Sequence, residues 1–201
     1  MCELIVDEFL TLDGVAQAPG GEDEDRSGDF PHGGWHMPYM DDDAARAWVV
    51  AGITEAGGFV LGRRTYEIFA AYWPNAPAEE AVSAIIAKPL NDKAKYVAST
   101  TLDEPLAWQS SRLLRGDVEE AVRDLKREEG GELHVIGSTR LVRGLLAADL
   151  VDELRLMIDP LVVGGGKRIF DDGGVLRRFR LLRHEATGTG AILAAFRRQE
   201  R

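Results

Sequence analysis

Phe59-Val60-Leu61-Gly62-Arg63-Arg64-Thr65 and His134-Val135-Ile136-Gly137-Ser138-Thr139-Arg140-Leu141 share one layout. Each is a short apolar run, a glycine, then polar residues that open a helical pattern. That layout predicts a strand turning tightly into a helix N-terminus. The free N–H groups and positive dipole end found there hold phosphate, and glycine lets the backbone come close to the anion. Gly62-Arg63-Arg64-Thr65 adds the Thr65 hydroxyl and an arginine fork matched to phosphate oxygens. The same residues also read as an ordinary helix cap with exposed arginines. Gly137-Ser138-Thr139 lacks a cation of its own and reads equally as a βα turn capped by Ser138 or Thr139. Two such units in one small chain predict a ligand with several phosphates, such as a dinucleotide.

Other candidates are weaker. Ser99-Thr100-Thr101 follows an expected strand end, where ligands of open α/β sheets lie. Its hydroxyls suit a ribose or its phosphate, although a polar turn is the plainer reading. Neither glycine turn is G-x-G-x-x-G, and G-x-x-x-x-G-K-[ST] is absent. Gly164-Gly165-Gly166-Lys167 resembles a phosphate loop, but Asp171-Asp172-Gly173-Gly174 interrupts any following helix. Of the four histidines, His32 and His36 stand four apart in a Pro/Gly-rich stretch, and His134 opens a strand. No H-E-x-x-H occurs, so no catalytic metal is expected. Ser138 has no G-x-S-x-G frame for a hydrolase. Asp13-Gly14 is first a turn dipeptide and Asp41-Asp42-Asp43 first a helix start. Burial beside a reducible substrate would let such a carboxylate supply a proton.

The elements that must position these groups follow from the pattern. Strands are expected at Leu4–Phe9, Phe59–Leu61, Lys95–Ser99, Leu133–Ile136 and Glu153–Ile158. Helices are expected from Asp41 to about Gly57, at Thr65–Tyr72, Glu79–Ala87, Val118–Glu128 and Ser138–Ala147. Arg178–Thr187 and Ala191–Arg197 read as a final antiparallel pair around Gly188-Thr189-Gly190. Strands alternating with helices and closed by a hairpin predict an α/β sheet, mostly parallel, with an antiparallel edge. Thr11–Met40 is a long Gly/Pro/Asp/His-rich loop. Its aromatics, among them Phe30, Trp35 and Tyr39, argue for order and function.

The 201 residues suit a single domain, with no linker marking a second. A net charge of −10 argues against nucleic acid or an anionic membrane as partner, not against an anionic cofactor held by local arginines. The lone Cys2 forms no disulfide framework and reads as a strand-edge residue. Neither a signal-peptide pattern nor a 20-residue apolar stretch is present, so a cytoplasmic location is expected.

Together the motifs resemble the dihydrofolate reductase-like superfamily. The nearer likeness is to the reductase domain of bifunctional riboflavin-biosynthesis deaminase/reductases and its stand-alone relatives. The resemblance rests on Asp7-Glu8-Phe9-Leu10-Thr11-Leu12-Asp13-Gly14, Leu61–Glu67, Lys95–Thr100, Val135–Ser138 with Leu141, and Pro160–Phe170, in order along nearly the whole chain. It implies a three-layer fold, NADPH as cofactor and a homodimer. In such proteins the counterparts of Gly62, Arg63, Arg64 and Thr65, with Ser99 and Thr100, hold the adenosine side including its 2′-phosphate. Gly137, Ser138 and Thr139, with Leu141, match the pyrophosphate turn. Val15 and Ala16 match the loop along the nicotinamide. Asp13, Trp35 and Tyr39 are carried over to the substrate side, and Asp41 to the proton donor. The zinc deaminase half is missing, and Gly20–Gly34 is an acidic insertion without a counterpart. The resemblance implies hydride transfer to a small heterocycle. A 5-amino-6-(5-phosphoribosylamino)uracil-type substrate leads and a pterin or folate follows. A binding protein without turnover is the contrasting reading, against which the intact Leu12-Asp13-Gly14-Val15 loop argues.

Overall fold

The computed structural model describes residues 2–77, 81–128, 130–170 and 173–199. Its centre is β1 (Leu4–Thr11), whose apolar residues are buried on both faces, as a strand covered by helices requires. The chain continues through α1 (Asp43–Glu55), β2 (Gly58–Gly62), α2 (Arg63–Tyr72), α3 (Ala81–Asp92), β3 (Ala94–Ala98) and β4 (Ser111–Leu114). It then forms α4 (Val118–Arg127), β5 (Leu133–Ile136), α5 (Thr139–Ala147), β6 (Glu153–Asp159), β7 (Phe179–Ala186) and β8 (Ile192–Arg198). The eight strands form one sheet in the order β4-β3-β2-β5-β1-β6-β8-β7. Pairing is parallel from β4 to β6 and antiparallel for β6–β8 and β8–β7, so the mixed α/β sheet expected from the sequence is the one found.

Both faces are covered. Leu4, Val6 and Leu10 of β1 pack with Val122 and Leu125 of α4 and Val142 and Leu145 of α5. Phe59, Leu61 and Val97 pack with Ile53 of α1, Tyr66 of α2 and Ile86 and Leu90 of α3. Asp42 and Asp117 cap α1 and α4 by accepting first-turn amides, which fixes where both helices begin. Gly57 is needed where the entries to β2 and β5 touch: a Cβ there would lie 2.6 Å from Gly131 Cα.

Several boundaries differ from expectation. α1 starts at Asp43 because Asp42 is its cap, and stops at Glu55. α2 starts at Arg63, directly after Gly62. α3 runs past Ala87 and through Pro89 to Asp92. Its expected start, Glu79, lies outside the described residues, as do Asp171 and Asp172. α5 starts at Thr139, since Ser138 takes a left-handed conformation with φ 70°. β4 was not expected. Met37–Met40 forms a single 3-10 turn inside the long loop.

Candidate functional site

The sheet divides above β5. β1 pairs with β5 only as far as Asp7↔Ile136, but with β6 as far as Thr11↔Asp159. β2 pairs with β5 only to Val60↔Val135, although it continues to Gly62. The turns after β2 and β5 therefore stand side by side beyond the last shared pair, at the carboxyl ends of parallel strands where α/β ligands bind.

The two glycine turns are bolted together. Ser138 Oγ accepts the Gly62 N–H at 2.8 Å and donates to Thr65 Oγ1 at 2.8 Å. A Cβ on Gly62 would lie 3.1 Å from the Ser138 Cβ and Oγ, so glycine permits this approach. Gly137 and Ser138 are both left-handed, with φ 60° and 70°. Neither α2 nor α5 carries a side-chain cap, which leaves the first-turn donors of both helices without that partner. Leu141 packs behind this pair against the core.

The arginines diverge. Arg63 Nε donates to Glu67 Oε1 at 2.8 Å and its Nη1 donates to Thr101 Oγ1 at 2.7 Å. Ser99 Oγ accepts the amides of Thr101 and Leu102, both at 3.1 Å. The strand-end hydroxyls are thus joined to the α2 turn through Thr101, with Thr100 exposed beside it. Arg64 turns to the insertion instead and pairs with Asp25 Oδ1 at 2.8 Å.

The Asp13–Ala16 loop lies on the Gly164–Arg168 loop. Asp13 accepts from Thr11 Oγ1 at 2.7 Å and from the Gly164 amide at 2.9 Å. The Thr11 bond first, then the Gly164 and Val163 amides, hold its carboxyl below the usual range against the opposing effect of burial. Val15 bridges to Arg168, and the Ala16 amide donates to Lys167 O at 2.8 Å. The side chains of Val15 and Ala16 are buried. No helix follows Gly164–Lys167 among the described residues.

The acidic insertion is folded onto the same loop. Gln17 Nε2 donates to the Asp25 and Ser27 carbonyls, both at 2.9 Å, and its Oε1 accepts the Lys167 amide at 3.0 Å. Trp35 is buried and its indole donates to Gln17 O at 2.7 Å. An open hollow of about 560 Å³ lies between this insertion and Val163–Lys167 and is not lined by the two bolted turns.

Of the substrate-side candidates, Tyr39 packs with Ala45, Met157 and Leu193, and its carbonyl accepts from Thr189 Oγ1 at 3.3 Å. Asp41 stands apart: its side chain is 94% exposed and Arg46 lies 3.4 Å away. A buried acid nearby was not singled out from the sequence. Asp159 Oδ2 lies 2.8 Å from His36 Nδ1, and the His36 ring stacks on Phe9 at 3.7 Å. Burial raises the Asp159 pKa, opposed by the hydrogen bond and charge of His36. His36 Nε2 and Asp159 Oδ1 have no hydrogen-bond partner among the described residues. A second buried cluster joins Asp7 Oδ2 to His134 Nδ1 at 2.6 Å and Asp7 Oδ1 to Arg155 at 3.5 Å, closely under Gly52 of α1. Among the described residues no group of three or more His, Cys, Asp or Glu is placed to hold a metal.

An α/β sheet divided at a central strand, with paired glycine turns at the division, defines the dihydrofolate reductase-like class of fold. The chain belongs to the RibD C-terminal domain family, whose model matches residues 3–193. It is 27% identical over 169 residues to the uncharacterized protein YyaP of Bacillus subtilis (strain 168), covering 84% of this chain and 80% of that one. A putative riboflavin biosynthesis protein from Shewanella sp. PV-4 superposes with a TM-score of 0.68 at 20% identity, over 98% of this chain and 99% of that one. A pyrimidine reductase-like protein from Corynebacterium diphtheriae gives 0.62 at 12% identity, over 100% and 93%. Dihydrofolate reductase from Enterococcus faecalis, complexed with NADP(H) and RAB-propyl, gives 0.58 at 16% identity, over 98% and 97%.

Proposed function

We propose that this chain is a single-domain, NADPH-dependent reductase that delivers a hydride to a small heterocycle of the 5-amino-6-(5-phosphoribosylamino)uracil type. The observation that carries this reading is the Gly62–Ser138–Thr65 bolt. It fixes two uncapped helix N-termini side by side at the divided sheet, as a pyrophosphate spanning both turns requires. Arg63, already joined to Thr101, supplies a fork for a further phosphate on the adenosine side. The family match and the likeness to an NADP(H)-binding reductase support the same cofactor class.

The cofactor, when bound, supplies the hydride; this chain holds and orients it. Gly62–Thr65 and Gly137–Thr139 grip phosphate. Ser99, Thr100 and Thr101 face the ribose end. The Asp13–Ala16 loop, pinned to Gly164–Arg168, would lie along the nicotinamide and orient it. Trp35 and Tyr39 close the substrate side, and a buried acid supplies the proton. Asp41 is too exposed for that task without further closure, so the His36–Asp159 pair is the better donor. A cytoplasmic location follows from the same reading. Homodimerisation does too, and it would cover the exposed Leu181 and Leu182 of the edge strand β7.

Titrating the protein with NADPH and with NADH, by tryptophan quenching and thermal shift, tests the cofactor. NADPH should bind more tightly, and Arg63→Ala should remove most of the difference. Equal binding of both would move Arg63 away from the 2′-phosphate, and no binding of either would overturn the reductase reading. Loss of reduced-cofactor absorbance with the aminouracil, and not with dihydrofolate, would identify the substrate class.

A further inference from the structure

The insertion puts a carboxylate where two cations converge. Asp25 retains only 10% side-chain exposure. Its Oδ1 lies 2.8 Å from Arg64 Nη2, and its Oδ2 accepts from Lys167 Nζ at 2.6 Å. The Ser27 amide and hydroxyl donate to Oδ1 at 3.0 and 2.6 Å. Arg64 belongs to the first turn of α2, and Lys167 to the glycine-rich loop beside the Asp13–Ala16 segment. Asp25 is the acidic group that joins these two otherwise separate segments. Two cations, two further donors and a pair of anionic oxygens form the contact set that a phosphoryl group would also satisfy.

We propose that residues 17–36 form a strap latched by Asp25 across Arg64 and Lys167, and that a phosphoryl ligand opens it by taking over these cations. The proposal rests on the reading that the α2 turn receives phosphate. The strap is anchored at its ends, and its middle is tied by Gln17 Nε2 to the Asp25 and Ser27 carbonyls and by buried Phe30, so the latch proper is the pair of ion contacts that the Asp25 side chain makes. At one end Gln17 is buried, bonded to Lys167 and to the Trp35 indole. At the other, His36 is buried against Asp159 and Phe9. Between them, Arg64 and Lys167 remain 55% and 39% exposed. Ion pairs of that exposure are weak and screened by salt, so the latch is the part of the strap that an incoming phosphate displaces at least cost. A carboxylate already neutralising the cations also lowers their attraction for the ligand. Phosphate affinity in the latched state is therefore below what the bare site would show.

Arg26, next to the latch, has a 63% exposed side chain and reports strap release as a trypsin site. In the native protein, inorganic pyrophosphate should speed cleavage after Arg26. Asp25→Asn should be cut faster without ligand, insensitive to pyrophosphate, and should bind pyrophosphate about three- to tenfold more tightly, the range set by one or two exposed ion pairs. Ser27→Ala, which removes one latch bond and no charge, should lie between the two. Cleavage in the native protein that is unchanged or slowed by pyrophosphate overturns the proposal, as does Asp25→Asn binding no more tightly. NADPH binding, followed by thermal shift on the same samples, tests the reductase reading separately: NADPH binding without strap release removes the strap alone.

Discussion

Replacing Ser138 by alanine and by glycine separates a hydrogen bond from a backbone constraint at the point where the two glycine turns meet. Ser138 has φ 70° and ψ 51°. A non-glycine residue gives up about 1 kcal/mol there relative to glycine. Its hydroxyl makes two bonds, from the Gly62 N–H and to Thr65 Oγ1. Alanine keeps the constraint and loses both. At about 1 kcal/mol per bond, with the Gly62 donor left unpaired in a half-buried place, Ser138→Ala should lose about 2 kcal/mol of stability. Glycine loses the same bonds and relieves the backbone, so Ser138→Gly should lose about 1 kcal/mol. Urea unfolding with a shared slope measures both. Thr65→Val combined with Ser138→Ala should cost less than the sum of the single changes, by about 1 kcal/mol, because both remove one bond. Affinity for NADPH should fall about tenfold in both Ser138 variants, since neither holds the turns in register. The reasoning fails if glycine is worse than alanine, or if the Thr65 and Ser138 effects add.

Two further predictions concern buried charge. Burial, with the neighbouring Asp7 charge, raises the Glu8 pKa well above the usual carboxylate value, and its Oε1 has no partner among the described residues. From about pH 4.5 up to that raised value the folded chain keeps a proton that the unfolded chain has lost, so stability falls as pH rises. Glu8→Gln should flatten that slope in a pH series of denaturation midpoints; an unchanged slope would refute it. Lys95 is buried at the end of α3, where its ammonium donates to the carbonyls of Leu90, Asn91 and Lys93 and stacks on Trp108 at 4.3 Å. Lys95→Met should cost about 2–4 kcal/mol by leaving these carbonyls unpaired. Burial lowers the Lys95 pKa to about 8. Between there and 10.5 the unfolded chain binds the extra proton, so native stability gains with rising pH, and the variant should lack that gain.

What could be read from the sequence was local. The runs Leu4–Phe9, Phe59–Leu61 and Leu133–Ile136 declared themselves as strands because each is mostly apolar, as a doubly covered strand is, even though Asp7, Glu8 and His134 interrupt two of them. β4 did not: only Leu113 and Leu114 of its four residues are buried, and Ser111-Arg112 reads as loop. α3 runs past its expected end at Ala87, through Pro89, and Lys95 donates to the carbonyls of Leu90 and Asn91 in its last turn from beyond the helix. The two glycine turns were legible because Gly62 and Gly137 close mostly apolar runs at strand ends. The connections that make the turns a site could not be seen. Ser138 to Gly62, Asp25 to Lys167 and His36 to Asp159 join residues 76, 142 and 123 positions apart. A capping serine, an acidic loop residue and a loop histidine look alike in sequence whether or not they meet such partners.

The proton source shows how the geometry reorders candidates that look equal in sequence. Asp41 lies next to a helix start, exposed to water beside Arg46, with nothing enclosing it. Asp159 ends β6 directly opposite Thr11 of β1, in the part of β1 that β5 no longer covers, and burial raises its pKa. His36 shares its charge and leaves Nε2 without a partner. A buried unpaired nitrogen costs about 1–3 kcal/mol, a cost that a ligand or substrate atom bonded there would recover. His36→Gln should therefore lower kcat with little change in KM for NADPH, and should alter the alkaline limb of the pH profile, where a proton donor gives up its proton. Asp41→Asn should leave both untouched. An imidazole resonance of His36 that shifts on adding substrate would support contact. Full activity in His36→Gln, with loss in Asp41→Asn, would return the role to the exposed carboxylate and require that the 3-10 turn at Met37–Met40 carry Asp41 inward during turnover.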